Sequence, residues 1–322
     1  MVDTPFLGLD VGNSRLSAAM ISGDGRVLAL AGRSTPARPE SAVGALAELA
    51  RGVADEAGII PEAGGIGFGG PVDVAEGVVR TSFLSSGWEG LKLGGILADE
   101  LGLRTFLVND ADAGGLGEAL FGAGKGAESA LYVNVGTGIG GAVVLGGKIR
   151  TGATSSAGEI GHFTVVPDGP PCECGKRGCA QAVSSGTAMA RRARELLAAG
   201  GESALSHQPG EELRGREVGE AAEGGDALAL RVVTEAARWL GVAVGNAALL
   251  IDPAVVVIGG GVAEMGETFL APLRDSYART VLGPMAGTPV VSAALGYEAG
   301  VIGAAAAAMT QQGALSEPTT DA

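Results

Sequence analysis

Cysteine and histidine are scarce in this chain, with three and two among 322 residues. An odd cysteine count argues against a disulfide framework, and Cys172-x-Cys174 is too tight for easy disulfide geometry. No charged-then-apolar leader opens the sequence, so reduced thiols and a cytoplasmic location are expected. No apolar run reaches the ~20 residues that span a bilayer, so no membrane partner is expected. Positive charge is also short: 22 Lys and Arg stand against 36 Asp and Glu, a formal net charge of −14. That is the wrong sign for a nucleic-acid footprint, and no nucleic-acid partner is expected.

What is present is apolar mass and glycine. Hydrophobic residues make up 46% of the chain and glycines number 57. This length suits one large or two ordinary domains, each with its own core. The scarce residues are also clustered. All three cysteines lie at 172, 174 and 179, just after His162 in Gly158-Glu159-Ile160-Gly161-His162. Three thiolates and an imidazole complete a closed tetrahedral zinc site, so His162, Cys172, Cys174 and Cys179 are the expected ligands of a structural Zn2+. Zinc on one ring nitrogen would leave the other as an oriented N–H donor for a ligand hydroxyl, with Glu159 placed by the same segment.

The hydrophobic pattern reads as an α/β chain. Phe6 to Asp10, Leu16 to Ile21 and Val27 to Leu30 form a three-strand meander around turns at Gly12-Asn13-Ser14 and Gly23-Asp24-Gly25. A helical face runs over Ser41 to Ala57, and helices are also expected over Leu91 to Leu101 and Ala111 to Phe121. Strands are expected at Gly65 to Phe68, before Gly69-Gly70-Pro71-Val72-Asp73, and at Thr105 to Val108, before Asn109-Asp110. The strand–glycine turn–strand pattern then returns as Leu131 to Val135, the Gly136 to Gly141 turn, Ala142 to Leu145 and Lys148-Ile149. Its recurrence points to an internal duplication. Further helices are expected over Gln181 to Ala199, Asp226 to Leu250 and Ala299 to Met309, with a mostly looped, polar stretch from Gly200 to Gly225. A strand covers Ala254 to Ile258, and the polar tail from Gln311 is expected to fray.

The Gly136 to Gly141 turn has dinucleotide-like spacing, but an apolar strand follows it instead of a helix, so the Rossmann context fails. Its free N–H groups and the Thr137 hydroxyl can still cradle phosphates. Asp10, at a strand end beside a similar turn, is a natural holder of hydrated Mg2+. Gly259-Gly260-Gly261 suits close approach of a nucleotide. Asp110 is either a helix cap or a catalytic group, and Asp112 could supply the cap in its place.

Taken in order, Asp10-x-Gly12, Gly70-Pro71-Val72-Asp73, Asn109-Asp110, the Gly136 turn, Gly158-Glu159-Ile160-Gly161-His162, Cys172-x-Cys174-Gly175-x-x-Gly178-Cys179 and the Gly259 run resemble the ROK family, in particular its glucokinase-like sugar kinases. The resemblance implies an actin-like, hexokinase-like (ribonuclease H-like) fold of duplicated α/β domains with a cleft between them. The expected division is 1–112 plus 299–322 for a smaller domain and 113–298 for a larger one. It implies ATP and Mg2+ against Asp10, Gly12, Asn13, Ser14, Gly136, Thr137, Gly138, Gly259, Gly260 and Gly261. It also implies a sugar held by Gly70, Asn109, Asp110, Glu159, His162 and Gln181. Family repressors carry an N-terminal helix-turn-helix, and with a first strand expected at Phe6 none is expected here.

The chain departs from the family at four places: Gly12-Asn13-Ser14, the Ser82 to Ser86 stretch, Thr151 to Thr154, and Gln181, where a sugar-binding Glu is usual. A Gln gains a donor and loses a charge, so a relaxed or shifted sugar preference is expected. These readings add up to an ATP-dependent hexose kinase with Asp110 as general base, acting on a small-molecule sugar at carbon 6 and assembled as a homodimer or higher homo-oligomer. The rivals are a sugar-responsive regulatory protein without turnover and a nucleotide-dependent assembly protein of actin type.

Overall fold

The computed structural model describes residues 4–82, 86–207 and 213–314. Phe83 to Ser85, within the Ser82 to Ser86 departure, lie outside the described residues, as do 208–212 of the polar stretch and 315–322 of the tail. The chain divides into two compact units, one of residues 1–130, 142–158 and 294–322, the other of residues 131–141 and 159–293.

In the first unit, β1 (Phe6–Val11), β2 (Arg15–Ile21) and β3 (Val27–Ser34) form the antiparallel meander read from the sequence. Helix α1 (Pro39–Ala57) follows, with proline in its first turn, and ends at Gly58, whose left-handed backbone returns its N–H to Ala54 and Asp55. β4 (Gly64–Phe68) pairs parallel with β1. A short hairpin, β5 (Val72–Asp73) and β6 (Val78–Val79), precedes α2 (Leu93–Leu101), and β7 (Thr105–Asn109) pairs parallel with β4. The sheet order is β3-β2-β1-β4-β7.

Side chains on β1 alternate between two faces. Leu7, Leu9 and Val11 join the core with α1 and α2, whereas Phe6 joins the core on the opposite face. That second face is covered by α9 (Ala299–Gln312), an alanine-rich and almost wholly buried helix. Small side chains let it settle directly on the strands. A Cβ on Gly8 or Gly65 would overlap the carbonyls of Val301 or Ala304. Helix α3 (Asp110–Phe121) packs on α9 as well. It therefore stays with the first unit, which extends past the boundary at 112 expected from the sequence.

The second sheet repeats the plan. β8 (Ser129–Val135), β9 (Ile139–Leu145), β10 (Lys148–Ile149), β11 (Val255–Gly259) and β12 (Val290–Ser292) lie in the order β10-β9-β8-β11-β12. Numbered within each sheet, both orders are 3-2-1-4-5, the arrangement expected of a duplicated motif.

Helices α4 (Ala180–Ser184), α5 (Gly186–Ala198), α6 (Gly215–Glu223), α7 (Ala227–Ile251) and α8 (Glu267–Thr280) belong to the second unit, as do residues 131–141 of β8 and β9 and strands β11 and β12, whereas β10 and the rest of β9 fall in the first. The single helix expected over Gln181 to Ala199 is thus two. Ser185 adopts an extended backbone, and its side chain caps α5 by accepting the Ala188 N–H at 3.1 Å. Serine competes with helical hydrogen bonding in this way, and the hydrophobic period alone gives no sign of the break.

One buried charge ties distant segments of the first unit. Glu118 on α3 is fully buried. Its carboxylate accepts the N–H of Ala123 at 2.8 Å, of Ala294 at 2.9 Å and of Leu295 at 2.7 Å. Glu118→Leu strands these three donors in an apolar setting, at about 1–3 kcal/mol for each that stays unsatisfied. Urea unfolding should show a loss of about 3 kcal/mol or more for Glu118→Leu, with Glu118→Gln recovering part of it. A loss below about 1 kcal/mol would mean that water replaces the carboxylate.

Candidate active site

Strand register places the first set of functional side chains. Val11 pairs with Phe68, and Phe68 pairs with Asn109, so β1, β4 and β7 end level at their carboxyl ends. Ligands bind outside that edge in parallel α/β sheets. Asp10 and Asn109 belong to strands two places apart, about 10 Å at the usual strand spacing, and Asp110 opens α3 directly after Asn109.

Asn109 is the N-cap of α3. Its Oδ1 accepts the N–H of Ala111 at 2.9 Å and of Asp112 at 3.2 Å, and its Nδ2 donates to the Gly70 carbonyl at 3.0 Å. The cap role open to Asp112 thus belongs to Asn109, the residue at the strand end with a β-region backbone. Asp112 is instead buried inside the first turn. Asp110 directs Oδ1 to the Ala111 N–H at 2.8 Å, which fixes its carboxylate at the helix start. Gly70, with φ of 146°, lies so close to the Thr81 carbonyl that no side chain would fit.

Asp10 points to the α9 side of the sheet, between Gly67 and Gly300. A Cβ on either would come within about 3.3 Å of its carboxylate. Burial, with the Asp110 carboxylate adding to it, pushes the Asp10 pKa up to about 7. Its surroundings oppose ionisation, which a bound cation would favour. Asn13 and Ser14 are exposed in the adjoining turn. That turn is braced by Thr35, whose hydroxyl donates to the Gly12 carbonyl at 2.7 Å and whose N–H reaches Ser14 at 3.2 Å. No local signal in the sequence marks Thr35 for this role, because its partner lies more than twenty positions upstream.

In the second unit, the Gly136 to Gly138 turn joins β8 to β9. Gly136 donates to the Gly138 carbonyl at 2.9 Å, and Thr137 is exposed. The Gly259 run lies beside it: Val262 N–H donates to the Val135 carbonyl at 3.0 Å. Gly259 and Gly260 are crowded by Tyr132, Asn134 and Val135, so protein packing alone excludes side chains there. Gly261 has open space around its Cα and is the member of the run free to approach a ligand. Gln181 directs Oε1 to the Ile139 N–H at 3.0 Å, next to the turn.

The cluster of scarce residues forms as expected. One donor atom from each of His162, Cys172, Cys174 and Cys179 lies within 4.8 Å of all the others. Cys172 Sγ is 3.7 Å from His162 Nδ1, and Cys174 Sγ is 3.7 Å from Cys179 Sγ. With metal–sulfur bonds of about 2.3 Å, a tetrahedral site has edges of about 3.8 Å, so the donor set fits zinc. The Lys176 N–H holds the Cys174 thiol below its ordinary pKa, whereas burial and then the neighbouring thiols push Cys179 up to about 12. A metal must displace that proton to bind. The other ring nitrogen, His162 Nε2, lies 3.8 Å from the exposed carboxylate of Glu159.

The expected site residues thus form two groups. Asp10, Gly12, Asn13, Ser14, Gly70, Asn109 and Asp110 lie in the first unit. Gly136, Thr137, Gly138, Glu159, His162, Gln181, the cysteines and Gly259 to Gly261 lie in the second.

The ROK family matches residues 6–311. This chain belongs to the ROK family. The glucokinase of Streptomyces coelicolor is 34% identical over 308 residues, 93% of this chain and 96% of that one. The crystal structure of a ROK hexokinase from Thermus thermophilus superposes with a TM-score of 0.82 at 36% identity, covering 97% of this chain and 100% of that one. A ROK family glucokinase from Streptomyces griseus, solved in complex with glucose and AMPPNP, has a TM-score of 0.82 at 35% identity and covers 94% of this chain and 98% of that one. The fold is the actin-like one of these ROK proteins. Among the described residues no helix is long and apolar enough to cross a membrane.

The raised pKa of Asp10 gives a pH signature in ligand-free protein. An acid whose folded pKa exceeds its unfolded value favours folding below about pH 4 and loses that contribution as pH rises through about 7. Asp10→Asn should therefore gain stability relative to the parent between pH 4 and pH 8, on the order of 2 kcal/mol after allowance for solvent reaching the site. Parallel denaturation curves at the two pH values would show no such gain if Asp10 titrates normally.

Proposed function

We propose that this ROK protein is an ATP-dependent, glucokinase-like sugar kinase. It transfers the γ-phosphoryl group of ATP to a sugar hydroxyl, at carbon 6 of a hexose. The observation that carries the reading is the carboxylate pair at one sheet edge: Asp110 fixed at the start of α3, with the half-buried Asp10 electrostatically beside it. Glucokinases among the relatives, and the glucose and AMPPNP complex of one of them, supply the substrate class.

Asp110 takes the proton of the attacking hydroxyl as its oxygen bonds to the γ-phosphorus and the bond to the ADP oxygen breaks. A base so placed contributes typically about 10²–10⁴-fold. Asp10 and its turn would hold Mg2+, which neutralises charge on the transferring group. A cation beside Asp10 also removes the cost of ionising it. The N–H groups of Thr137 and Gly138 and the Thr137 hydroxyl receive phosphate oxygens, while the Gly136 N–H closes the turn on the Gly138 carbonyl, with Gly261 close to the nucleotide. Asn109, Glu159 and His162 orient the sugar. His162 does so through Nε2, since Nδ1 faces Cys172.

The zinc assignment is tested by elemental analysis of protein purified without chelator, which should give one zinc per chain. Cys174→Ser should lose the metal and weaken sugar binding, because Glu159 and His162 lose their fixed geometry. A preparation without zinc would contradict it.

The activity is tested by ADP release across glucose, mannose, fructose, allose, N-acetylglucosamine and N-acetylmannosamine. Asp110→Asn should keep sugar affinity within a few-fold and lower turnover by roughly 10² or more. Near-parental turnover would reduce Asp110 to a structural residue. Sugar binding without sugar-dependent ADP release would favour the regulatory protein.

A further inference from the structure

Gln181 stands two residues beyond Cys179, on the first turn of α4. Its side chain turns back onto the neighbouring glycine turn. Oε1 accepts the Ile139 N–H at 3.0 Å, and a Cβ on Gly138 would sit 3.0 Å from that same oxygen. Ile139 is the first residue after the Gly136 to Gly138 turn. A few residues along the same segment, Gly186 N–H donates to the Gly136 carbonyl at 2.8 Å. The turn is thus pinned at both ends by the chain that leaves Cys179. From another direction Gly161, next to His162, packs so close to the Ile139 carbonyl that a Cβ there would overlap it.

We propose that Gln181 is a positioning residue for the Gly136 to Gly138 turn, and so acts on nucleotide binding more than on sugar choice. It links the turn to the cysteine and histidine cluster through Ala180, the single residue that separates it from Cys179. Without the Oε1 acceptor, the Ile139 N–H loses its partner, and the turn loses the constraint that fixes its own N–H groups. A turn whose donors are not held in advance must be ordered at the expense of ligand affinity. Assigning nucleotide phosphates to the turn rests on the kinase reading above; the hydrogen bond to Ile139 does not.

Gln181→Met keeps length and packing but offers no comparable acceptor. Gln181→Asn keeps the amide but withdraws it by one methylene. Gln181→Glu keeps an acceptor at the same reach. Two quantities decide the matter in metal-loaded protein: the affinity for AMPPNP with magnesium in the absence of sugar, by calorimetry, and the amide exchange rate of residues 136–141. Met and Asn should each weaken AMPPNP about five- to twentyfold and speed exchange of that segment. Glucose affinity measured without nucleotide should fall by clearly less than AMPPNP affinity does, and Glu should restore both nucleotide affinity and exchange. Unchanged exchange in both Met and Asn variants overturns the proposal, and so does a loss confined to glucose. Should the parent protein show no sugar-dependent ADP release, the kinase reading fails while the exchange comparison still decides the role of Gln181. If Met does not fold, Asn carries the same test.

Discussion

The parallel register that sets Val11, Phe68 and Asn109 side by side fixes the chemistry of the first unit. Asp10 and Asp110 are a hundred positions apart in sequence, yet the pairing of β1, β4 and β7 brings them to one edge. There each carboxylate meets the field of the other, and burial of Asp10 adds a larger penalty on its charge. The pair is an electrostatic deficit that a divalent cation would relieve. The register depends in turn on α9, whose alanines and glycines let it lie against β1 and β4 at backbone distance. A larger side chain at Gly8 or Gly65 would overlap the Val301 or Ala304 carbonyl and push the helix off the strands.

The second unit solves a different problem: holding flexible glycine N–H groups still. A turn rich in glycine offers donors to an anion but carries a high entropic cost of order. Here that cost is met within the protein by a hydrogen bond from Ile139 to Gln181 and one from Gly186 to Gly136, on a segment that begins at the cysteine cluster. A metal held by this cluster would fix more than His162 and Glu159. It would also anchor the short helix from which the turn is braced, without touching a reacting atom.

Much of the candidate site was legible in the sequence because it is written in short-range spacing. Cys172-x-Cys174 with Cys179 and a nearby histidine has few readings other than a metal set, and all four donors converge. The two meanders were visible because alternation and glycine turns are local, and the repeated 3-2-1-4-5 sheet order follows from their duplication. The residues that brace the site were not legible. Thr35 and Glu118 carry no local signature, since their partners lie in distant segments. Ser185 looked like one more residue of a continuous helix.

The sequence by itself therefore determined the chemical inventory: four metal-type donors, two glycine turns, and aspartates placed at strand ends. These follow from residue type and local periodicity, which a linear chain displays in full. Tertiary structure decided how that inventory is used. It gave the cap of α3 to Asn109 and left Asp112 inside the helix. It raised the pKa of Asp10 and directed the Gln181 carbonyl oxygen to Ile139. Each of these depends on which backbone groups and charges lie within a few ångströms, and only the packing of strands and helices brings such distant groups together.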